Sequence, residues 1–210
     1  FAGAAVAIKS WSAAQLGERC SAMQPFPNAK SLEADISARL SQKRPRVIVV
    51  GANGRVGTGA IDFCDRLNVT TTKWDISETA HGGPFPEIYE HEIFLNCVLA
   101  NKETPVFIPE SIINTERQLS VIGDIACDPK NFYSPIKIYD TETTWEQPTR
   151  RICNDPVLDV TAIDNLPSIL PQESSKDFAS QLLPSLLSLD NIEAGIWKKA
   201  KLLFDQKKPN

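Results

Sequence analysis

Three glycines lie at regular spacing after a short apolar run: Gly51, Gly54 and Gly57 in the segment GANGRVG. A glycine-rich turn between a strand and a helix can bind phosphate, because backbone N–H groups and the positive end of the helix dipole face the anion. The middle glycine would let the backbone approach a dinucleotide's pyrophosphate, and the last would let the helix pack tightly on the strand. The spacing is GxxGxxG rather than GxGxxG, which is less specific. These residues alone therefore leave open a glycine-rich turn that binds nothing.

An acidic residue follows at the distance that a dinucleotide site requires. Asp75 lies 24 residues beyond Gly51, at the end of a second predicted strand, and the dinucleotide fingerprint expects a carboxylate about 20 residues on. There it would accept hydrogen bonds from the adenosine ribose hydroxyls and repel a 2′-phosphate, which favours NAD over NADP. Arg55 complicates this preference, because an arginine in the loop can contact a phosphate. Asp75 alone could also be a turn residue, but its pairing with the loop favours a nicotinamide-dinucleotide site.

The other reactive side chains form no recognisable site. His81 and His91 have no metal-ligand spacing, so no metal site is predicted. The five cysteines are scattered without a CxxC pair, which is typical of reduced thiols in an intracellular protein. We expect a cytoplasmic location, with an organelle left open. A net charge of −4 argues against a nucleic-acid partner. Membrane insertion is not expected, because no apolar run reaches the roughly 20 residues of a membrane-spanning helix.

The elements that must position these residues alternate between strands and helices. We predict strands at 46–50, 69–75, 92–98, 119–125 and 157–163, and helices at 2–16, 28–42, 54–67, 109–116, 172–188 and 192–206. The first strand, RVIVV, is apolar throughout, as a strand buried on both faces of a parallel sheet requires. The alternation predicts an α/β fold, with a Rossmann-like parallel sheet, flanking helices, and C-terminal helices that would pack on a second domain.

The chain of 210 residues, 42% of them hydrophobic, is long enough for one large domain or one domain with appendages. We predict a helical lead-in from a preceding domain at 1–42, a Rossmann-like NAD-binding domain at 43–168, and C-terminal helices at 169–210. The opening, FAGAAVAI, is apolar and lacks an initiator methionine, so we expect the chain to begin inside a larger protein.

Two apolar stripes raise the question of a partner. One runs along the first helix at Phe1, Ala4, Ala5 and Ile8, and the other along the last helix at Ile196, Trp197, Leu203 and Phe204. Packing within the core of one domain is one explanation. We predict the other, in which both stripes present an apolar surface to a missing domain or partner chain.

Several segments, taken in order, resemble the saccharopine dehydrogenase family, the NAD-dependent, lysine-forming enzymes related to the alanine dehydrogenases. They are GANGRVGTGAIDF, KWDISETAHGGPFPEI, EIFLNC, DIACDP, AIDNLPSILPQESS and IWKKAKLLFD. The resemblance covers nearly the whole chain, and it implies two Rossmann-like domains flanking a cleft. It also implies oxidation of saccharopine with water and NAD to lysine, 2-oxoglutarate and NADH, a reaction of lysine biosynthesis.

The resemblance assigns the site position by position. The implied cofactor contacts, besides Gly51 and Gly57, are Asn53, Gly54 and Arg55 over the pyrophosphate, Asp75 and Thr79 at the adenosine ribose, Leu99 on the rim, Ile125 after the fourth strand, and Asp164, Asn165, Leu166 and Pro167 near the nicotinamide. The segment implied to face the amino-acid substrate is Ala126, Cys127 and Asp128.

The departures from the family bear on catalysis. The family has tyrosine where this chain has Leu99 and histidine where it has Asn165. Its acid–base pair, a lysine and a histidine, comes from the first domain, which would lie upstream of residue 1, so we predict no catalytic residue in this chain. Two functions remain open. One is the NAD-binding part of a saccharopine dehydrogenase-like oxidoreductase, and the other is a non-catalytic relative that serves as a structural or interaction subunit.

Overall fold

The computed structural model describes residues 1–40 and 42–208, which form two compact units. The first unit is Phe1–Leu170 and the second begins at Pro171. Ser41, which we placed in the second predicted helix, and positions 209–210 of the predicted C-terminal region lie outside the described residues.

The first unit is built on one sheet whose strands are mostly parallel. Within the described residues the strands are β1 Val47–Val50, β2 Thr71–Trp74, β3 Ile93–Asn96, β4 Val121–Asp124, β5 Arg150–Asn154 and β6 Val157–Thr161. Their order across the sheet is β2-β1-β3-β4-β6-β5, and β5 alone runs antiparallel to its neighbour. This arrangement confirms the predicted Rossmann-like α/β fold.

The strand order reverses between β1 and β3, because the chain leaves β1 toward β2 on one side and later returns to place β3 on the other. In open α/β sheets, such a reversal opens a crevice at the carboxyl ends of the strands, where ligands bind. The turn after β1 and the segment after β3 both begin at this crevice.

The helices of the first unit are of two kinds. The long ones are α1 Ala2–Gln15, α2 Ala29–Arg39 and α3 Arg55–Arg66, and the short ones are α4 Ile76–Thr79, α5 Pro86–Tyr89 and two 3₁₀ helices at Glu110–Asn114 and Leu166–Ile169. The long helices pack over one face of the sheet around Trp11 and Phe63. The other face is covered by loops and short helices, with the aromatic rings of Phe85, Phe94 and Phe107 at the centre.

The first helix belongs to this core, so our prediction that residues 1–16 present an apolar surface to another domain is wrong. Its residues Ala4, Ala5 and Ile8 are buried, and the helix packs against β3, β4 and β6. The packing is close because the facing residues are small. A Cβ on Gly3 would come within 2.6 Å of Ile125 Cγ1. The helix is buried from Ala2 to Ser12, so its apolar residues belong to the core of this unit.

The second unit contains α6 Pro171–Leu186 and α7 Gly195–Lys207. No residue of these two described helices is buried, although the indole Nε1 of Trp197 donates a hydrogen bond to the carbonyl oxygen of Ser185 at 2.7 Å. Phe178 is 67% exposed and Phe204 is 68% exposed. The prediction of an exposed apolar stripe is therefore confirmed for the last helix.

Two further features bear on the sequence predictions. In the part of the chain that the structure describes, no helix is long and apolar enough to cross a membrane. All five cysteines, each within the described residues, are unpaired thiols.

Candidate functional site

The turn after β1 depends on Gly51 for its backbone conformation. Gly51 has φ +86°, a conformation that L side chains rarely adopt, and a Cβ there would lie 2.9 Å from the carbonyl oxygen of Cys97 on β3's continuation. Its N–H and that of Ala52 donate to the carbonyl oxygen of Trp74, at 2.9 and 3.0 Å. The turn is thus fixed between its two neighbouring strands.

The other two glycines meet different requirements. A Cβ on Gly57 would lie 2.1 Å from the carbonyl oxygen of Gly51, so α3 can approach the turn this closely only with glycine there. A Cβ on Gly54 would meet only that same oxygen, at 3.4 Å, which is ordinary contact. The fold therefore does not require glycine at position 54, and the open space beside it belongs to a cavity.

Asp75 connects the turn to the end of β2. Its Oδ2 accepts a hydrogen bond from the N–H of Asn53 at 2.8 Å, and its Oδ1 accepts one from the N–H of Ile76 at 2.9 Å. It is also the N-cap of α4, in a capping box with Glu78. An ionised carboxylate has about four acceptor positions, so these bonds and the capping-box bond from the backbone of Glu78 leave capacity for a hydroxyl group of a ligand. Asp75 is both a turn residue and a candidate ligand-binding residue.

A cavity of about 400 Å³ lies at the carboxyl ends of β1, β2 and β3. Among the predicted site residues, it is lined by Gly51, Gly54, Asp75, Thr79 and Leu99. Its volume falls in the range of small-molecule and cofactor sites, about 300 to 1,000 Å³. Thr79 is buried, with Oγ1 donating to the carbonyl oxygen of Asp75 at 2.9 Å, whereas Leu99 is 84% exposed on the rim.

The helix α3 begins at this cavity, with Gly54 as its N-cap. Among the described residues, no side chain makes a capping hydrogen bond there. Arg55, the first helical residue, is exposed. A helix of 12 residues that begins at a cavity presents the positive end of its dipole to whatever binds there.

The opposite wall of the cavity was missed in the sequence. It is formed by the loop after β3, with Asn101, Glu103 and Thr104 among its lining residues. The backbone N–H of Asn101 donates to Thr104 Oγ1 at 3.0 Å, and Asn101 Oδ1 accepts from the backbone N–H of Glu103 at 2.8 Å, so these bonds fix the shape of the loop. The reversal of strand order places this loop at the crevice, but that order is not visible in a local motif.

The predicted residues that follow β4 and β6 form a second group, which does not line the cavity. Ile125 and Leu166 both lie against Gly3 at the start of α1. The carboxylate of Asp164 lies near Cys127, and burial first and then neighbouring carboxylates raise the pKa of that thiol to about 12. Asn165 Oδ1 accepts a hydrogen bond from the indole of Trp145 at 2.7 Å. The second group also comprises Ala126, Asp128 and Pro167, which adjoin these residues in sequence.

Sequence reasoning also missed a buried polar cluster between the two groups. Asn96 Nδ2 donates to Asp124 Oδ1 at 2.9 Å, and the hydroxyl of Tyr139 donates to Asp124 Oδ2. Burial raises the pKa of Asp124, while the hydrogen bonds from Tyr139 and Asn96 act in the opposite direction. The only sequence signal is that an amide and a carboxylate end two otherwise apolar strands.

Curated proteins that are similar to this chain in sequence carry the same name. No protein-family profile matches the chain. It is 39% identical, over 98% of its length, to saccharopine dehydrogenase (NAD+, L-lysine-forming) of Candida albicans, and equally identical to the protein of that name from Schizosaccharomyces pombe. The Neurospora crassa protein of the same name is 39% identical over 99% of this chain. The chain spans about 60% of the length of these curated relatives.

Proposed function

We propose that the chain, which is 39% identical to a saccharopine dehydrogenase along 98% of its length, is the NAD-binding part of an oxidoreductase of that kind. The observation that carries the proposal is the cavity at the ends of β1, β2 and β3, where Gly54 leaves space and Asp75 offers a carboxylate. The names of the relatives supply the cofactor class.

The residues of the cavity fit an adenine dinucleotide. The backbone at Gly54 can approach a pyrophosphate, because no Cβ intervenes and α3 begins at that point. Asp75 would accept hydrogen bonds from the adenosine ribose, and its negative charge would repel a 2′-phosphate. The buried hydroxyl of Thr79 holds the α4 turn in place beside that carboxylate. Arg55 would add a positive charge at the mouth of the turn.

The second group of residues would serve the substrate side. When bound, NAD would accept a hydride from the substrate. We assign Ala126, Cys127 and Asp128 to the wall that faces an amino-acid substrate, and Asp164 to Pro167 to the wall near the nicotinamide. The whole reaction, from saccharopine to lysine and 2-oxoglutarate, also needs acid–base groups that we place outside this chain.

Titration calorimetry of the chain with NADH and NADPH tests the cofactor assignment. We expect NADH to bind more tightly, because only the 2′-phosphate of NADPH brings negative charge against Asp75. In Asp75→Asn the preference should shrink, whereas Asp65→Asn, an exposed carboxylate farther along α3, should keep it. Equal affinities for the two nucleotides, or none for either in a folded sample, would contradict the proposal.

The exposed helices of the second unit favour a second candidate function. Phe178 and Phe204 belong to apolar faces that no described residue buries. Large exposed apolar patches mark interaction sites, so the same chain would serve as an interaction subunit if it has lost its cofactor. A folded chain that binds neither nucleotide would favour this function.

A further inference from the structure

A carboxylate that the proposed function does not use lies beneath the site. Asp124 ends β4 and lies directly opposite Asn96, which ends β3. Asn96 is 1% exposed, Asp124 is 2% exposed and Tyr139 is 6% exposed. We call these three residues the Asp124 cluster. A buried carboxylate is costly unless it is fully hydrogen-bonded, so its partners indicate what it holds in place.

On one side the cluster holds the turn that follows β4. Asp124 Oδ1 accepts a hydrogen bond from the N–H of Cys127 at 3.2 Å. Cys127 has φ +48°, a left-handed conformation that is uncommon for residues other than glycine. Such a conformation persists only where the surroundings enforce it. The bond from Asp124 is one of the contacts that close this turn.

On the other side the cluster reaches the wall of the cavity. Asn96 Oδ1 accepts a hydrogen bond from the N–H of Val98 at 3.3 Å, and Val98 lines the cavity. The side-chain amide of Asn96 is therefore fixed by two bonds, one from its Nδ2 to Asp124 and one from the wall of the cavity to its Oδ1.

Tyr139 adds a third connection. It follows a segment that pairs with the end of the cavity loop, where Ile108 and Ile136 form a parallel bridge. The N–H of Phe107 donates to the carbonyl oxygen of Pro135 at 2.9 Å, and Phe107 also lines the cavity. The hydroxyl of Tyr139 therefore joins the far end of the cavity loop to Asp124.

We propose that Asp124 is a positioning residue, which fixes the turn at 125–128 and keeps it in register with the cavity wall at 97–98. The inference rests on the proposed function, since that function makes the turn a substrate wall and the cavity a cofactor site. In this arrangement Asp124 touches neither substrate nor cofactor. It sets the distance between the two walls through Cys127 on one side and Asn96 on the other.

The thiol of Cys127 provides a local readout of the turn in the folded chain. Burial, and after it the charge of Asp124 and of other neighbouring carboxylates, raises its pKa to about 12, so it reacts slowly with N-ethylmaleimide, which attacks the thiolate. If the turn loosens, the thiol becomes hydrated and its pKa falls. Each unit of that fall raises the thiolate fraction about tenfold. Cys153, which is also half-buried but lies on edge strand β5, is the internal reference.

The variants are Asp124→Asn and Tyr139→Phe. The matched control is Tyr89→Phe, which removes a hydroxyl from a partly buried tyrosine packed against the same core, beyond the opposite ends of the strands. Peptide-level mass spectrometry measures the modification rates of Cys127 and Cys153 in the full chain, and titration measures NADH affinity. Tyr139→Phe is the deciding variant, because it keeps the charge of Asp124, whereas Asp124→Asn also removes a charge that raises the Cys127 pKa and would speed modification even in an intact turn. It also serves if Asp124→Asn does not fold.

We expect the rate at Cys127 to rise about tenfold relative to Cys153 in both cluster variants, and the ratio to stay unchanged in Tyr89→Phe. We also expect the cluster variants to bind NADH more weakly. Equal acceleration of both thiols would show general loosening, and an unchanged ratio would show that Asp124 does not hold the turn. Either result overturns the inference. A wild-type chain that binds no NADH overturns the proposed function instead, while the thiol ratio still decides whether Asp124 holds the turn.

Discussion

At the scale of residues, the three glycines of the turn after β1 have different structural requirements, so each has to be interpreted separately. Gly51 is required by a positive φ and by the nearness of Cys97, and Gly57 is required by the nearness of Gly51 itself. Gly54 meets neither requirement. Because the fold does not require glycine at position 54 and this position borders the cavity, a substitution there can test ligand binding separately from folding stability.

Gly54→Ala and Gly57→Ala form such a test. Because the Cβ at position 54 finds ordinary contact, we expect Gly54→Ala to fold normally while NADH affinity falls on the order of tenfold, or about 1.4 kcal/mol. Gly57→Ala forces a Cβ against backbone and should cost about 1 to 3 kcal/mol of folding stability, as overpacking does. Urea unfolding and NADH titration of both variants separate the two effects. Unchanged affinity in a folded Gly54→Ala chain would mean that the turn is purely structural.

The sequence brought together the part of the candidate site that follows from local spacing. Gly51 and Asp75 were located because a turn and a carboxylate recur at a fixed separation along one strand–helix–strand unit. The loop around Asn101 and the pairing of Asp124 with Tyr139 were not predicted, because both depend on which strands are neighbours in space. In the second case, Asn96 and Asp124 are visible in the sequence as polar residues at the ends of apolar strands, but the sequence does not show that they contact each other.

At the scale of elements, the parallel strands were predictable and the edge strand was not. The apolar runs of β1, β3 and β4 are buried along their whole length, so continuous hydrophobicity identifies them. The segment of β5 begins with Arg150 and Arg151, and its side chains are only partly covered. Charged residues are typical of an edge strand. Arg151 pairs with the buried Asp159 of β6, a partner that the local pattern does not reveal.

The sequence correctly predicted that α1 is a helix, but it wrongly predicted that this helix packs on another domain. Its alanine-rich run predicted a helix, but the close approach of Gly3 to Ile125 depends on the sheet beneath it. We expect Ile8→Ala to lower the free energy of unfolding by about 2 to 5 kcal/mol, because Ile8 is fully buried against that sheet. Leu16→Ala, at a side chain that is 74% exposed, should change it by less than about 0.5 kcal/mol. Equally small losses in denaturant unfolding would show that α1 is not part of the core.

At the scale of the whole molecule, the two groups of site residues both lie at the carboxyl edge of the sheet. The residues that line the cavity follow β1, β2 and β3, and the second group follows β4 and β6. An open α/β sheet places ligands along this edge, so one dinucleotide and one substrate could lie side by side there. On the proposed function, the chain would provide the floor of such a cleft, and the reaction would also need proton donors and acceptors.

Lys9 and the two histidines, which are the types of residue in the family's acid–base pair, make structural contacts here. Lys9 is buried and donates to the carbonyl oxygens of Ser21 and Ala22, and burial lowers its pKa. His91 lies between Thr72 Oγ1 and the carbonyl oxygen of Glu87, just before β3 at the amino edge of the sheet. The ring of His81 packs on that of Phe85 at 4.9 Å.

We therefore expect the 210-residue chain to bind NADH yet to oxidise saccharopine far more slowly than a full-length relative. An acid or base in place contributes about 10²- to 10⁴-fold to the rate, so the loss of two such groups predicts turnover lower by about 10⁴-fold or more. Absorbance of NADH, followed after saccharopine and NAD are mixed with the chain, measures this directly, and NADH titration of the same sample controls for a competent site. If these residues alone turned over saccharopine at a rate near that of the full-length enzyme, the acid–base pair would have to lie within this chain. Asp128 and Asp164 would then be the first residues to examine, since they lie at the edge of the sheet where the substrate is proposed to bind.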